Sequence, residues 1–248
     1  MDLDNSQVRP PLTSYADLAR MIDHSLVRPE LTEEQVEQGC RTAVECGVAS
    51  VSVRPSDLDL AVNWLSGSEV AIGTVAGFPH GSGTTAAKLY EVRDLLRRGA
   101  KEVDAVINIG KLLSRRFQYV ETELRQMAEA CHESGALLKV ILENAYLSDD
   151  LKIIACKIAT RAQADFVKTS TGFAPRGCAI EDLRLMRAHS GPDVRIKAAG
   201  GVRTLDMALD VYQAGCDRFG ATATVAILDE WKQRLRQQAA SSSVTPAS

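Results

Sequence analysis

The chain of 248 residues carries 29 Lys+Arg against 32 Asp+Glu, a net charge of −3, and its pI is near 5.9. That balance supplies no basic field to gather nucleic acid or anionic lipid, and a hydrophobic share of 45% excludes a disordered or fibrous chain. The acidic start Met1-Asp2-Leu3-Asp4-Asn5 is unlike a signal peptide, and no apolar run approaches the roughly 18 residues that span a bilayer. A soluble, cytoplasmic protein with neither nucleic-acid nor membrane partners is expected.

Residues 1–12, with Pro10-Pro11, read as a flexible lead-in, and 239–248 (AASSSVTPAS) as a disordered polar tail. Between them, over 13–238, short β-branched runs alternate with longer segments of helical period, the pattern of repeated βα units. Strands are expected at Met21–Asp23, Ala49–Val53, Ala71–Val75, Glu102–Ile107, Leu137–Leu142, Phe166–Lys168, Arg195–Ala198 and Arg218–Gly220. Helices are expected to start after Thr32, at Ser56 before Asp57, and at Thr84 before Ala86. Others run over Tyr119–Ser134, Ser148–Gln163, Ile180–His189, Thr204–Ala214 and Val225–Gln238. Glycines such as Gly47, Gly135 and Gly215 close the helices ahead of the next strand. Eight such units in a chain of this length suit a single closed (β/α)₈ TIM barrel, while an open doubly wound sheet has fewer strands. The absence of G-x-G-x-x-G after the first strand argues against a dinucleotide fold.

Cys40, Cys46, Cys131, Cys156, Cys178 and Cys216 are dispersed without a C-x-x-C pair, and His24, His80, His132 and His189 form no H-x-H or H-x-x-x-H. Reduced thiols and no metal are therefore expected.

A barrel gathers its chemistry at the C-terminal ends of its strands. There the sequence places Asp23, Lys168 and Lys197, with Asp104 inside the fourth strand between Val103 and Ala105-Val106. Single strand-end lysines reach into solvent, but Lys168 and Lys197 fall at equivalent positions on neighbouring strands. Two ammonium groups about 6 Å apart repel by roughly 3 kcal/mol at an effective dielectric of about 20, enough to bring one pKa from about 10.4 towards 8. A free amine at neutral pH points to imine chemistry on a carbonyl compound; Asp104 is either the companion that moves protons or a buried acid paired with a lysine. For Asp23 two readings stand open, a loop hydrogen-bonder and a substrate contact. Thr171 and Gly172 after the sixth strand, Gly200 and Gly201 after the seventh and Gly220 in the eighth allow backbone N–H groups to converge on a phosphate. Arg203 either adds a charge there or sits on the surface.

At these residues the sequence resembles the deoxyribose-phosphate aldolase family. The segments carrying the resemblance are Ala164-Asp165-Phe166-Val167-Lys168-Thr169-Ser170-Thr171-Gly172-Phe173, Lys197-Ala198-Ala199-Gly200-Gly201-Val202-Arg203-Thr204, Val103-Asp104-Ala105-Val106-Ile107-Asn108 and Gly77-Phe78-Pro79-His80-Gly81. The resemblance implies a class I aldolase that cleaves 2-deoxy-D-ribose 5-phosphate reversibly to acetaldehyde and D-glyceraldehyde 3-phosphate, in a catabolic role. Lys168 is then the Schiff-base lysine, with Asp104 and Lys197 shuttling protons. Gly172, Gly200, Gly201 and Gly220 hold the phosphate, no cofactor is needed, and a homodimer or homotetramer is implied. Ser25, Ser52, Asn144 and Ala221-Thr222-Ala223 depart from the family pattern, and no tyrosine ends the chain. Rival readings are a related class I aldolase on another phosphorylated sugar, with Asn144 and Ser25 reshaping the hydroxyl-reading pocket, a metal-dependent aldolase using His24 and His80, and a catalytically silent phosphosugar-binding barrel.

Overall fold

The computed structural model describes residues 9–242. In chain order the elements are α1 (Tyr15–Ala19), β1 (Ile22–Leu26), α2 (Glu33–Cys46), β2 (Ser50–Val53), α3 (Leu58–Trp64), β3 (Ala71–Ala76), α4 (Thr85–Arg97) and β4 (Glu102–Val106). They continue with α5 (Ile109–Leu113), α6 (Phe117–Glu133), β5 (Leu137–Ile141), α7 (Asp149–Arg161), β6 (Phe166–Lys168), α8 (Ile180–His189), β7 (Arg195–Ala198), α9 (Leu205–Gln213), β8 (Arg218–Ala221) and α10 (Thr224–Ser242). All neighbouring strands are parallel, and β8 returns to β1 with Ile22 opposite Phe219, closing the barrel.

The local chemistry accounts for these boundaries. Thr32 and Gln35 form a capping box at the start of α2, and Gly47 ends it in the left-handed conformation (φ 62°), which a side chain would strain. Thr84 and Thr204 accept hydrogen bonds from Ala87 N–H and Met207 N–H at the starts of α4 and α9. Ser56 does not start a helix. Pro55–Asp57 is a 3₁₀ turn ahead of α3, and the Asp57 carboxylate pairs with Arg54 at 2.6 Å instead of capping. Strand β1 runs past Asp23 because His24–Leu26 pair with Val51–Val53.

Of the two ends, residues 9–12 of the lead-in and Ala239–Ser242 of the tail are among the described residues. Arg9 donates to Cys216 O at 2.5 Å and pairs with Asp217 at 2.7 Å, and Tyr212 donates to Pro10 O, so the described end of the lead-in is fastened to the α9–β8 corner. Helix α10 continues through Ala239–Ser242; residues 243–248 and 1–8 lie outside the described residues.

Successive strand residues face opposite sides of a sheet. Val103, Ala105, Val140, Val167, Ile196, Ala198 and Phe219 face out and join the apolar layer beneath the helices. Each contributes roughly 1–3 kcal/mol by burial. The alternate positions face the barrel interior, and in β4–β8 they include Glu102, Asp104, Lys139, Phe166, Lys168, Lys197 and Arg218, all charged except Phe166.

Candidate active site

The strand register sets Lys168 beside Lys197 on β6 and β7, and Asp104 beside Lys139 on β4 and β5. Asp104 Oδ2 accepts from Lys168 Nζ at 2.6 Å and from Lys197 Nζ at 2.8 Å. Its other oxygen lies 3.3 Å from Lys139 Nζ, an ion-pair contact without hydrogen-bond geometry. Thus one buried carboxylate bridges both lysines singled out in the sequence.

Burial is the main influence that pushes the Lys168 amine down, to about 8. Asp104 opposes that displacement, while Lys197 and Lys139 add to it. The expected lysine–lysine repulsion is therefore present but subordinate to removal from water. At pH 7 a pKa of about 8 leaves about one amine in ten neutral, roughly 300-fold more than at an ordinary lysine. Burial alone would raise the Asp104 pKa, yet Lys139, Lys168 and Lys197 hold it well below the carboxylate range. Asp104 is therefore an ionised hydrogen-bond acceptor at neutral pH.

Above this pair a cavity opens at the C-terminal ends of the strands. Asp23, Lys168, Thr171, Gly172, Lys197, Gly200, Gly201, Arg203 and Gly220 all line it, so the structure brings every site residue chosen from the sequence around one cavity, with Asp104 bonded to its two lysines. Gly172, Gly200 and Gly201 adopt φ of 92°, 79° and 103°, the left-handed region that favours glycine. The two loops are also clasped together, because Cys178 N–H donates to Gly200 O at 2.9 Å.

Residues 18–230 match the family model described as DeoC/LacD family aldolase. This chain belongs to that aldolase family. The deoxyribose-phosphate aldolase of Caldanaerobacter subterraneus subsp. tengcongensis is 43% identical over 222 residues, 89% of this chain and 96% of that protein. The deoxyribose-phosphate aldolase of Rhodopirellula baltica is 43% identical over 234 residues, 94% and 97% of the two chains. Among solved structures, the deoxyribose phosphate aldolase of Aeropyrum pernix, described as uniquely tetrameric, superposes with a TM-score of 0.83 at 31% identity, covering 90% of this chain and 94% of that one. The protein is accordingly an aldolase, a lyase built on a (β/α)₈ barrel.

Within this aldolase several residues have duties the sequence did not assign. Both oxygens of Asp23 are occupied, by Arg218 at 2.7 Å and by Lys139 at 2.8 Å and Lys197 at 2.5 Å, so it floors the cavity as an ion-pair partner of Lys197. The Thr171 hydroxyl donates to Glu143 and accepts from Phe173 N–H, which fixes the loop. Asn144 lies outside the cavity lining: its backbone N–H donates to Thr169 O and its amide faces the Met186 sulfur. Ser25 and Ser52 line the cavity, and the buried Ser52 hydroxyl has no hydrogen-bond partner. His24 Nδ1 sits 2.8 Å from Thr224 Oγ1 and burial brings its pKa down to about 4. No group of three or more His, Cys, Asp or Glu is placed to hold a metal among the described residues.

Sequence reading missed Lys139, Glu102 and Arg218, the ionic floor beneath Asp104 and Lys197. A lysine centred in Leu137-Leu138-Lys139-Val140-Ile141 was the available signal, since a strand covered on both faces rarely tolerates a charge without partners. It also missed Arg28 from the β1–α2 loop, which lines the cavity and lies 5.7 Å over the Phe173 ring.

Proposed function

We infer that this chain is a deoxyribose-phosphate aldolase that works through an imine on Lys168. The observation that carries the reading is a buried amine of pKa about 8, held 2.6 Å from a carboxylate that also holds Lys197. The neutral Lys168 amine adds to C1 of the open-chain aldehyde of 2-deoxyribose 5-phosphate, and the carbinolamine loses water to give the protonated imine. A five-carbon sugar that yields a two-carbon and a three-carbon aldehyde breaks between C2 and C3. As the C3 hydroxyl loses its proton, the C2–C3 electron pair moves towards the iminium nitrogen, leaving an enamine on Lys168 and releasing glyceraldehyde 3-phosphate. Protonation at C2 and hydrolysis then free acetaldehyde and the amine.

Asp104 and Lys197 serve these proton transfers as a pair, the ammonium giving and the carboxylate passing protons on. Gly172, Gly200, Gly201 and Gly220 hold the phosphate through backbone amides, with Arg203 supplying charge at the mouth. That anchor fixes the unreactive end of the sugar and so orients C1 towards Lys168. Thr171 supports the same loop. The reading extends to a homodimer or homotetramer, supported by the tetramer described for the Aeropyrum pernix relative, and to a place in the cytoplasm. No helix among the described residues is long and apolar enough to cross a membrane.

Borohydride reduction in the presence of 2-deoxyribose 5-phosphate tests this chemistry. The expected product is a stable adduct on the peptide carrying Lys168, absent from Lys168→Leu, which stays folded. An adduct mapped elsewhere, or undiminished turnover in Lys168→Leu, overturns the assignment.

A further inference from the structure

The ion pairs inside the barrel form one connected cluster of three carboxylates, Asp23, Glu102 and Asp104, and four cationic side chains, Lys139, Lys168, Lys197 and Arg218. All except Arg218 are buried, and the Arg218 guanidinium reaches in from the base of the barrel, where it also lines a second cavity with Tyr15, Arg20 and Glu69. A guanidinium stays charged, so the three carboxylates are neutralised by Arg218 and two ammonium groups. The remaining amine is in excess.

Geometry decides which amine that is. Lys139 contacts Asp23, Asp104 and Glu102; Lys197 contacts Asp23 and Asp104. Lys168 touches Asp104 alone, through the oxygen that Lys197 shares. The least compensated amine is thus the one at the top, beneath the cavity. Glu102 sits two residues before Asp104 on β4, and Arg218 two residues before Gly220 on β8, at the closed end of the interior. Glu102 and Arg218 also meet each other at 3.6 Å.

We propose that Glu102 and Arg218, out of reach of the sugar, set the protonation state of Lys168 by fixing the charge count of the cluster beneath it. This rests on Lys168 being the imine-forming residue. Both are positioning residues, acting through Lys139 and Asp23 on the amine above. The charged groups facing Lys168 are Asp104 from β4, Lys139 from β5, Lys197 from β7 and Asp23 from β1, with Arg28 and Arg203 at the cavity mouth. Arg195 flanks the base, stacked 4.0 Å over Phe166. Lys197 and Lys139 both push the Lys168 amine down, in the direction the charge count requires.

The pH profile of kcat/KM for 2-deoxyribose 5-phosphate reads the free enzyme's essential amine. Glu102→Gln leaves one more uncompensated cation, so the acidic limb moves to lower pH. Arg218→Gln removes a cation, so the limb moves to higher pH. A unit charge roughly 7 Å further down a strand, at an effective dielectric of about 20, gives shifts of one to two pH units. The double variant Glu102→Gln/Arg218→Gln restores the count and brings the limb back to within a few tenths of the parent. Packing damage lowers the plateau in all three variants but does not move the limb in opposite directions. Limbs that coincide with the parent, or that move the same way, overturn the proposal. Should Glu102→Gln fail to fold, Arg218→Gln against the double variant makes the same comparison, with the upward shift and its reversal required. Borohydride trapping on the parent runs alongside: an adduct away from Lys168 sinks the imine assignment, whereas trapping at Lys168 with unmoved limbs sinks only this proposal.

Discussion

Lys168 is a destabilising residue at the pH where it works. Its pKa falls from 10.5 to about 8 on folding, so the folded protein binds its proton less tightly than the unfolded chain. The penalty is absent above 10.5, grows as pH falls towards 8 and is constant below, at no more than about 3 kcal/mol. Lys168→Met removes it, and Asp104 keeps Lys197 at 2.8 Å and Lys139 at 3.3 Å. This variant is expected to melt a few degrees above the parent at pH 6–7, the gain shrinking as pH rises from 8 to 10. A lower Tm at pH 7 in calorimetry would contradict this account. At this scale Lys168 and Lys197 were legible because charges at strand ends are few and equivalent positions on adjacent strands must meet, and Asp104 because a carboxylate inside a strand needs a cationic partner. The order of causes was not, because burial of Lys168 depends on residues from every other strand.

Elements show the same division. The Thr32/Gln35 capping box and Gly47 mark α2 in the sequence because the signal spans only adjacent turns. The five-residue helices α1 and α5 are too short to show a period, and Ser14 and Asn108 as their caps resemble ordinary loop residues. Contacts between loops carry no local signal at all. A Cβ on Gly177 would stand 2.1 Å from Gly200 O, so the clasp between the β6–α8 and β7–α9 loops requires glycine there by close approach alone. Gly177→Ala must separate the loops and loses the Cys178 N–H bond to Gly200 O. The expected cost is about 1–3 kcal/mol, or roughly 2–4 °C in Tm per kcal/mol, with a severalfold higher KM for deoxyribose 5-phosphate and little change for unphosphorylated deoxyribose. A fallen Tm with unchanged KM would make the clasp a support of the fold rather than of phosphate binding.

Across the whole molecule, a cluster of ion pairs takes part of the interior that branched aliphatic side chains fill in such barrels, and acid stability follows from it. Burial opposes ionisation of Asp23 and Asp104, but the surrounding lysines, and Arg218 at Asp23, outweigh it and hold both carboxyls well below their ordinary value of 3.8. Their folded pKa lies below the unfolded one, so their contribution is complete above about pH 4 and is lost as pH falls further. Thermal melts from pH 7 to pH 2.5 should show a plateau down to about pH 5 and a steep fall below pH 4. Because the pairs are buried, 0.5 M salt should change that fall little. An unchanged Tm at pH 3 would show that the cluster does not support the fold in this way.

Legible in the sequence were the (β/α)₈ order, the approximate strands and the placing of Lys168 beside Lys197, since hydrophobic period and strand alternation are properties of neighbouring residues. Only closure of the barrel decided that Asp104 would hold both lysines at one oxygen, that Asp23 would serve as a counter-ion of Lys197, and that Lys139, Glu102 and Arg218 would join them in one cluster. These contacts cross the interior between strands as much as 195 positions apart, and their energies depend on water being excluded from a space that exists only when β8 meets β1.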